Sequence, residues 1–231
     1  MIPKDSDSFS DGEYENPGEL TWSEFDWEKY LRKQDDVILR YLGFYESMAG
    51  SGQRIDDTAR CMGWEGEPLV DPVDLNEDSA EDDESDDDLG EPYILQHNPV
   101  YIASTAIELG LQRSWERLAA QAGQVPQSLA VSFLAAMHRS ETISLLAIQS
   151  LDFGDYTLAV SQFKRAMREL NTALSDLNSP LYPSTSVALA FRAEATSMLF
   201  DLREIWLRVM AECRDEVKRQ TKRKNDSGSG H

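Results

Sequence analysis

Cysteine is scarce: Cys61 and Cys213 are the two in 231 residues. They are too few and too far apart for a disulfide framework or a metal knuckle, and read as two reduced, unpaired thiols in a cytoplasmic protein. Histidine occurs three times, with His231 inside a linker-like SGSGH end, so only His97 and His138 carry weight. With 13 glycines and 9 prolines a collagenous chain is excluded. Every apolar run falls well short of the ~18–20 residues that a membrane span needs. The opening MIPKDSDSFSDGEYENPGE lacks the basic region and apolar core of a secretory signal and is too acidic for a transit peptide.

Positive charge is the other shortage, with 22 basic against 42 acidic side chains and a net charge of −20. Its distribution matters more than its total. Residues 71–92 hold twelve carboxylates and no lysine or arginine, whereas residues 93–231 hold fourteen acidic against fifteen basic groups. The first of these stretches, DPVDLNEDSAEDDESDDDLGEP, repels itself and has almost no apolar surface to offset an ordering entropy of roughly 1–2 kcal/mol per residue. It is expected to be a disordered acidic linker and the principal domain boundary. Residues 1–20, rich in Asp, Ser, Glu, Gly and Pro, read as a disordered acidic arm.

Between them, residues 21–49 read as an amphipathic helix. Thr21-Trp22-Ser23-Glu24 has the capping-box form with Thr21 as cap. Phe25, Tyr30, Leu31, Val37, Ile38, Tyr41, Leu42 and Tyr45 follow at roughly three-four spacing, and Ala49-Gly50-Ser51-Gly52 ends it. Trp22, Phe25, Trp27, Tyr30, Tyr41 and Tyr45 make this segment unusually aromatic. Such a stripe is either a face docked on the protein's own core or a partner-binding surface. Residues 50–92 are then loop and linker, with one short helix around Ile55–Met62.

Residues 93–224 read as four helices. The first starts at Asn98-Pro99, a cap residue followed by proline at the first helical position; it buries Ala103, Ile107, Leu111, Trp115, Leu118 and Ala122 and closes at Gly123. The second runs from near Pro126 to about Leu151 and is apolar over most of its circumference, Leu134 and Leu146 included, so it is expected to be the most buried. The third follows Asp152-Phe153-Gly154-Asp155 with the stripe Tyr156, Val160, Phe163, Met167, Leu170, Leu174, Leu177. The fourth runs from about Thr185 to Lys224, with Phe191, Ala195, Met198, Leu202, Ile205 and Val209 at four-three spacing. Forty residues span about 60 Å, against under 40 Å for its partners, so its end is expected to project from about Cys213, and this heptad-like spacing favours self-association. Residues 225–231 read as a disordered tail. Short connections favour antiparallel neighbours, so the expected fold is all-α: an antiparallel up-down four-helix bundle, preceded by a separate aromatic amphipathic helix and the acidic linker.

One stretch resembles a known family. Leu151-Asp152-Phe153-Gly154-Asp155-Tyr156, with Ala159, Phe163, Ala166 and Met167, is similar to part of a tetratricopeptide repeat. In that family small alanines let two helices of a repeat cross closely, and tandem copies line a peptide groove. Here the likeness covers about 17 residues, has no second copy, and lacks the upstream Leu-Gly-x-x-Tyr signature; an array needs about three repeats. The resemblance therefore implies one close-packed helical hairpin and no peptide-binding residues.

Chemistry is thinly represented. No glycine-rich phosphate loop occurs. A two-metal carboxylate bundle needs Glu-x-x-His on two helices; this chain has only the reverse order, His138-Arg139-Ser140-Glu141, on adjacent turns of one helix. Glu108, with Glu194 or Asp201, completes a drawable metal cluster, but an ion pair at the helix surface accounts for His138 and Glu141 more simply. The Arg-x(4–6)-His pair of RNA-cleaving helical domains is missing, since the nearest arginine before His138 is Arg117. Lys218, Arg219, Lys222, Arg223 and Lys224 form a basic run that suits a helix C-terminus or a salt-sensitive polyanion contact, which the acidic linker would compete for. No catalytic residue and no cofactor are expected. The reading that best fits is a non-catalytic helical interaction or scaffold protein that binds a protein partner or itself, away from membranes and nucleic acid. A metal-binding or enzymatic bundle on His138 and Glu141 is the alternative, and an acidic regulator of a nucleic-acid-binding protein a further one.

Overall fold

The computed structural model describes residues 23–64, 97–121 and 125–228, with side chains to 224. The acidic arm, Trp22 and the linker at 71–92 lie outside these residues. Among the described residues there are six α-helices and no strand: α1 (Glu24–Ser47), α2 (Arg54–Met62), α3 (Pro99–Ala119), α4 (Gln127–Asp152), α5 (Tyr156–Leu177) and α6 (Ser186–Gly228). The fold is all-α, and none of these helices is long and apolar enough to cross a membrane.

The helix ends follow local chemistry. The cap of α1 is Ser23, two residues later than the expected Thr21: the Asp26 backbone N–H donates to Ser23 Oγ and the Ser23 N–H to Asp26 Oδ2, at 3.3 and 3.0 Å. Aspartate thus does what the box expects of Glu24. Asn98 Oδ1 accepts from Val100 N at 2.9 Å, with Pro99 opening α3. Between α4 and α5 the chain turns through Gly154 at φ 70°, a left-handed backbone that glycine alone adopts without cost, and Asp155 Oδ1 caps α5 by accepting from Leu158 N at 3.0 Å.

Packing corrects several expectations. The helix read as separate is not: Ile38, Tyr41, Leu42 and Tyr45 of α1 belong to the same buried core as α3, α4, α5 and α6. It lies along α3, and Gly110 permits a tight approach, since a Cβ there would stand 2.9 Å from Leu42 Cδ1 and 3.1 Å from Met198 Cε. Helix α3 ends at Ala119, and the expected Ala122 and Gly123 lie outside the described residues. Helix α4 is not buried all round, because it packs mainly on α5 and more narrowly on α3, which leaves Val131, Leu134 and Leu146 exposed. Projection of α6 does not begin at Cys213, which is fully buried. Glu216 is buried too and Val217 still touches the core. The helix also continues through 225–228, residues expected to lie in a tail.

Two tryptophans anchor the interior. Trp115 packs on Phe133 with ring centroids 4.4 Å apart, and Trp206 on Phe163 at 6.0 Å. The Trp206 indole N–H donates to Ser104 Oγ at 3.0 Å, so the polar atom of a fully buried ring is satisfied across the α3–α6 interface. On the α5 side Ala159, Ala166 and Ala173 are fully buried, and Ser140 Oγ of α4 donates to Ala166 O at 3.1 Å. These small residues bring α4 and α5 together along the most extensive helix pairing in the molecule.

Candidate functional site

A cleft of about 370 Å³ opens between α3 and α4. Trp115 and Phe133 form its apolar wall with Val131, Leu134 and Met137, while Glu108, Gln112, His138 and Glu141 supply its polar groups. Glu108 is 5% exposed, and its Oε1 has no hydrogen-bond partner. Burial, and then the nearby Glu141 carboxylate, push the Glu108 carboxyl well above the ordinary range, because both favour the neutral form. A second cleft of about 310 Å³ shares Gln112 and Glu141 and is bounded by Asp35, Leu39 and Arg113.

His138 and Glu141 do come together, with Nδ1 3.5 Å from Oε2, but at the mouth of the cleft: the His138 side chain is 79% exposed. Such an open pair contributes little to stability. The drawn metal cluster is not assembled. Glu194 pairs instead with Arg54 at 3.1 Å, and Asp201 accepts from the Tyr45 hydroxyl at 2.6 Å. Among the described residues no group of three or more His, Cys, Asp or Glu side chains is placed to hold a metal ion.

The aromatic stripe of α1 divides in two. Tyr30, Tyr41 and Tyr45 are buried. Tyr30 Oη and Gln34 Nε2 each lie 3.0 Å from His97 Nε2, tying α1 to the entry of α3. Tyr45 is stacked at 3.6 Å beneath the Arg54 guanidinium, whose Nε also donates to Tyr45 O at 2.8 Å. Among the described residues of the stripe, Phe25, at 75%, and Trp27, at 39%, are open to solvent, while Trp22 lies outside them. No local pattern marks Arg54, a charged side chain buried against a tyrosine nine residues earlier.

The basic run occupies the C-terminal end of α6. Lys218 pairs with Asp215 at 2.8 Å and Arg219 with Glu216 at 3.0 Å, while Lys222, Arg223 and Lys224 are exposed. Helix α6 carries a further feature that its inward heptad spacing hides. Leu189, Phe200 and Leu207 are exposed, and at ~100° per residue they fall within a narrow arc on the outer face. Spacings of four and three connect them through Ala193, Thr196 and Arg203.

No protein-family model matches this chain, and neither a curated protein nor a solved structure is significantly similar to it.

Proposed function

We propose that this chain is a non-catalytic helical interaction protein that pairs with a second copy of itself through the outer stripe of α6. The observation that carries the reading is the second, outward four-three pattern Leu189–Ala193–Thr196–Phe200–Arg203–Leu207 on a helix whose inward pattern is already used by its own core. An antiparallel pair centred on Met198 sets Leu189 of each copy against Leu207 of the other, Thr196 against Phe200 and Ala193 against Arg203. Those are the alternating layers that a two-helix seam requires, and the contact is isologous, so it closes as a dimer.

The architecture that supports this is a four-helix bundle of up-down topology. Substantial packing runs in a ring, α3 on α4, α4 on α5, α5 on α6 and α6 on α3, with α1 and α2 added at the flank of α3 and α6. Among the described residues nothing covers the outer stripe of α6 at Leu189, Phe200 and Leu207, which stay exposed.

Sedimentation velocity of the full chain over a wide concentration range tests the reading. The 26.1 kDa chain is expected to sediment as a concentration-dependent dimer, and Phe200→Lys, which charges the stripe at an exposed position, to sediment as a monomer with unchanged helicity. A wild-type chain that stays monomeric throughout would overturn it.

A further inference from the structure

We propose that the cleft between α3 and α4 binds a small organic cation, a free amine on an aromatic body, with Glu108 as its buried counter-ion and Glu141 as a second carboxylate at the mouth. The inference does not rest on the pairing through α6.

Three features of the cleft carry it. Glu108 is an acid on the apolar face of α3, between Ser104 and Leu111, and burying it there with an unpartnered oxygen is costly unless something else satisfies it. Glu141 stands nearby, so an ionised Glu108 would give the site two carboxylates for a ligand cation to offset. The remaining wall is hydrophobic, with the rings of Trp115 and Phe133 beside the aliphatic Val131, Leu134 and Met137. Apolar walls with a few convergent polar groups are the usual form of a small-molecule site, and aromatic rings beside carboxylates favour an ammonium over a neutral head group. The volume of about 370 Å³ suits a molecule of this size.

Binding has a proton signature. In the empty cleft burial and Glu141 hold Glu108 toward its neutral form, whereas an ammonium ligand requires the carboxylate. Below the raised titration point of Glu108, binding therefore releases a proton, and affinity rises with pH. Beside Glu141 stand His138, its Nδ1 3.5 Å away at the mouth, and Asp35 and Arg113 in the adjoining cleft.

Isothermal titration calorimetry of the full chain with 2-phenylethylamine, repeated in buffers of different ionisation enthalpy, tests the proposal. Comparators are 2-phenylethanol, which keeps the ring and chain without the charge, and a blocked lysine, which stands for a side chain of a protein partner. The amine is expected to bind about tenfold or more tighter than either comparator, a difference of one decade in dissociation constant, with proton release. Glu108→Gln keeps the shape and should lose that preference; Val131→Arg, at a position 61% exposed, should block the amine without disturbing the fold. Equal binding of the alcohol, undiminished binding to either variant, a blocked lysine that binds as well as the amine, or no binding at millimolar amine would each overturn the proposal.

Discussion

Replacing Glu108 with leucine should stabilise the protein, and by more at high pH than at low. The wild-type carboxyl is 5% exposed with Oε1 unpartnered, and a buried polar atom left without a partner costs about 1–3 kcal/mol. Leucine is of similar volume and suits the surrounding Trp115, Phe133 and Met137, so the change removes that cost with little repacking. For a domain of this size each kcal/mol moves Tm by about 2–4 °C, which puts the expected rise at roughly 2–12 °C. Titration adds a slope. The folded carboxyl holds its proton to higher pH than the unfolded one, whose ordinary value is 4.5. Below that value both states are protonated and pH has no effect through this group. Above it the unfolded chain releases a proton that the fold retains, so wild-type stability falls as pH rises, by up to about 1.4 kcal/mol per unit until the folded carboxyl also ionises. Asp201 is raised as well, chiefly by burial, and tilts both proteins alike; the difference between them isolates Glu108. Urea unfolding followed by far-UV circular dichroism at pH 5, 6.5 and 8 provides the measurement. A variant less stable than wild type, or a difference that stays flat with pH, would refute the reasoning.

Three further outcomes follow from the packing. Arg54→Met should cost about 1–3 kcal/mol in urea unfolding, since it removes a ring contact and a hydrogen bond to Tyr45 O; Glu194→Gln, whose side chain is about half exposed, should cost under about 1 kcal/mol. With a thiol reagent at pH 8 the native chain should show one reactive cysteine: Cys61 is exposed, whereas Cys213 is buried and its thiol is pushed up to about 11, leaving about one molecule in a thousand as reactive thiolate. Two rapid equivalents would contradict the burial. A fragment starting at residue 93 should not fold stably, because Ile38, Tyr41, Leu42 and Tyr45 leave the core with α1; at about 1.5–3 kcal/mol each they match the whole stability of a typical domain. Two-state cooperative melting of that fragment would show the reasoning to be wrong.

Helix positions were legible because they depend on local signals. Asn98-Pro99 and Asp155 mark their helix starts within the chain's own neighbourhood, and of the α5 stripe Tyr156, Phe163, Leu170 and Leu177 are buried as its period requires. Val160, Met167 and Leu174 pack on the core half-buried, beside the deeper Ala159, Ala166 and Ala173. What local periodicity does not carry is which apolar face meets which neighbour. Val131, Leu134 and Leu146 look as buried in the sequence as Phe133 and Ile148 do, yet among the described residues α4 packs chiefly on α5 and α3. The acidic stretch at 71–92 suggested that residues before it form a separate unit, but chain connectivity does not decide packing: α1 returns to α3 through contacts some sixty residues apart, such as Tyr30 with His97. At the cleft, Glu108, His138 and Glu141 were legible as neighbours, because a spacing of three on α4 and one acid on the facing helix bring them together. Glu194 and Asp201 went elsewhere because Arg54 and Tyr45 compete for them, and neither competitor stands near them in sequence.

The hydrogen bond between the Trp206 indole and Ser104 bears on what α6 can transmit. Sliding of one helix past another proceeds in steps of about one turn, 5.4 Å, and a single such step would strand a buried N–H and lift the Trp206 ring off Phe163. The helix is therefore indexed against its neighbour like a keyed shaft: it can bend or be pulled upon, but it cannot change gear. A load applied to its C-terminal end beyond Val217 is delivered to the core as torque and tension on one rigid rod. Whatever engages that end will feel a stiff handle, with the core clamped at a fixed notch.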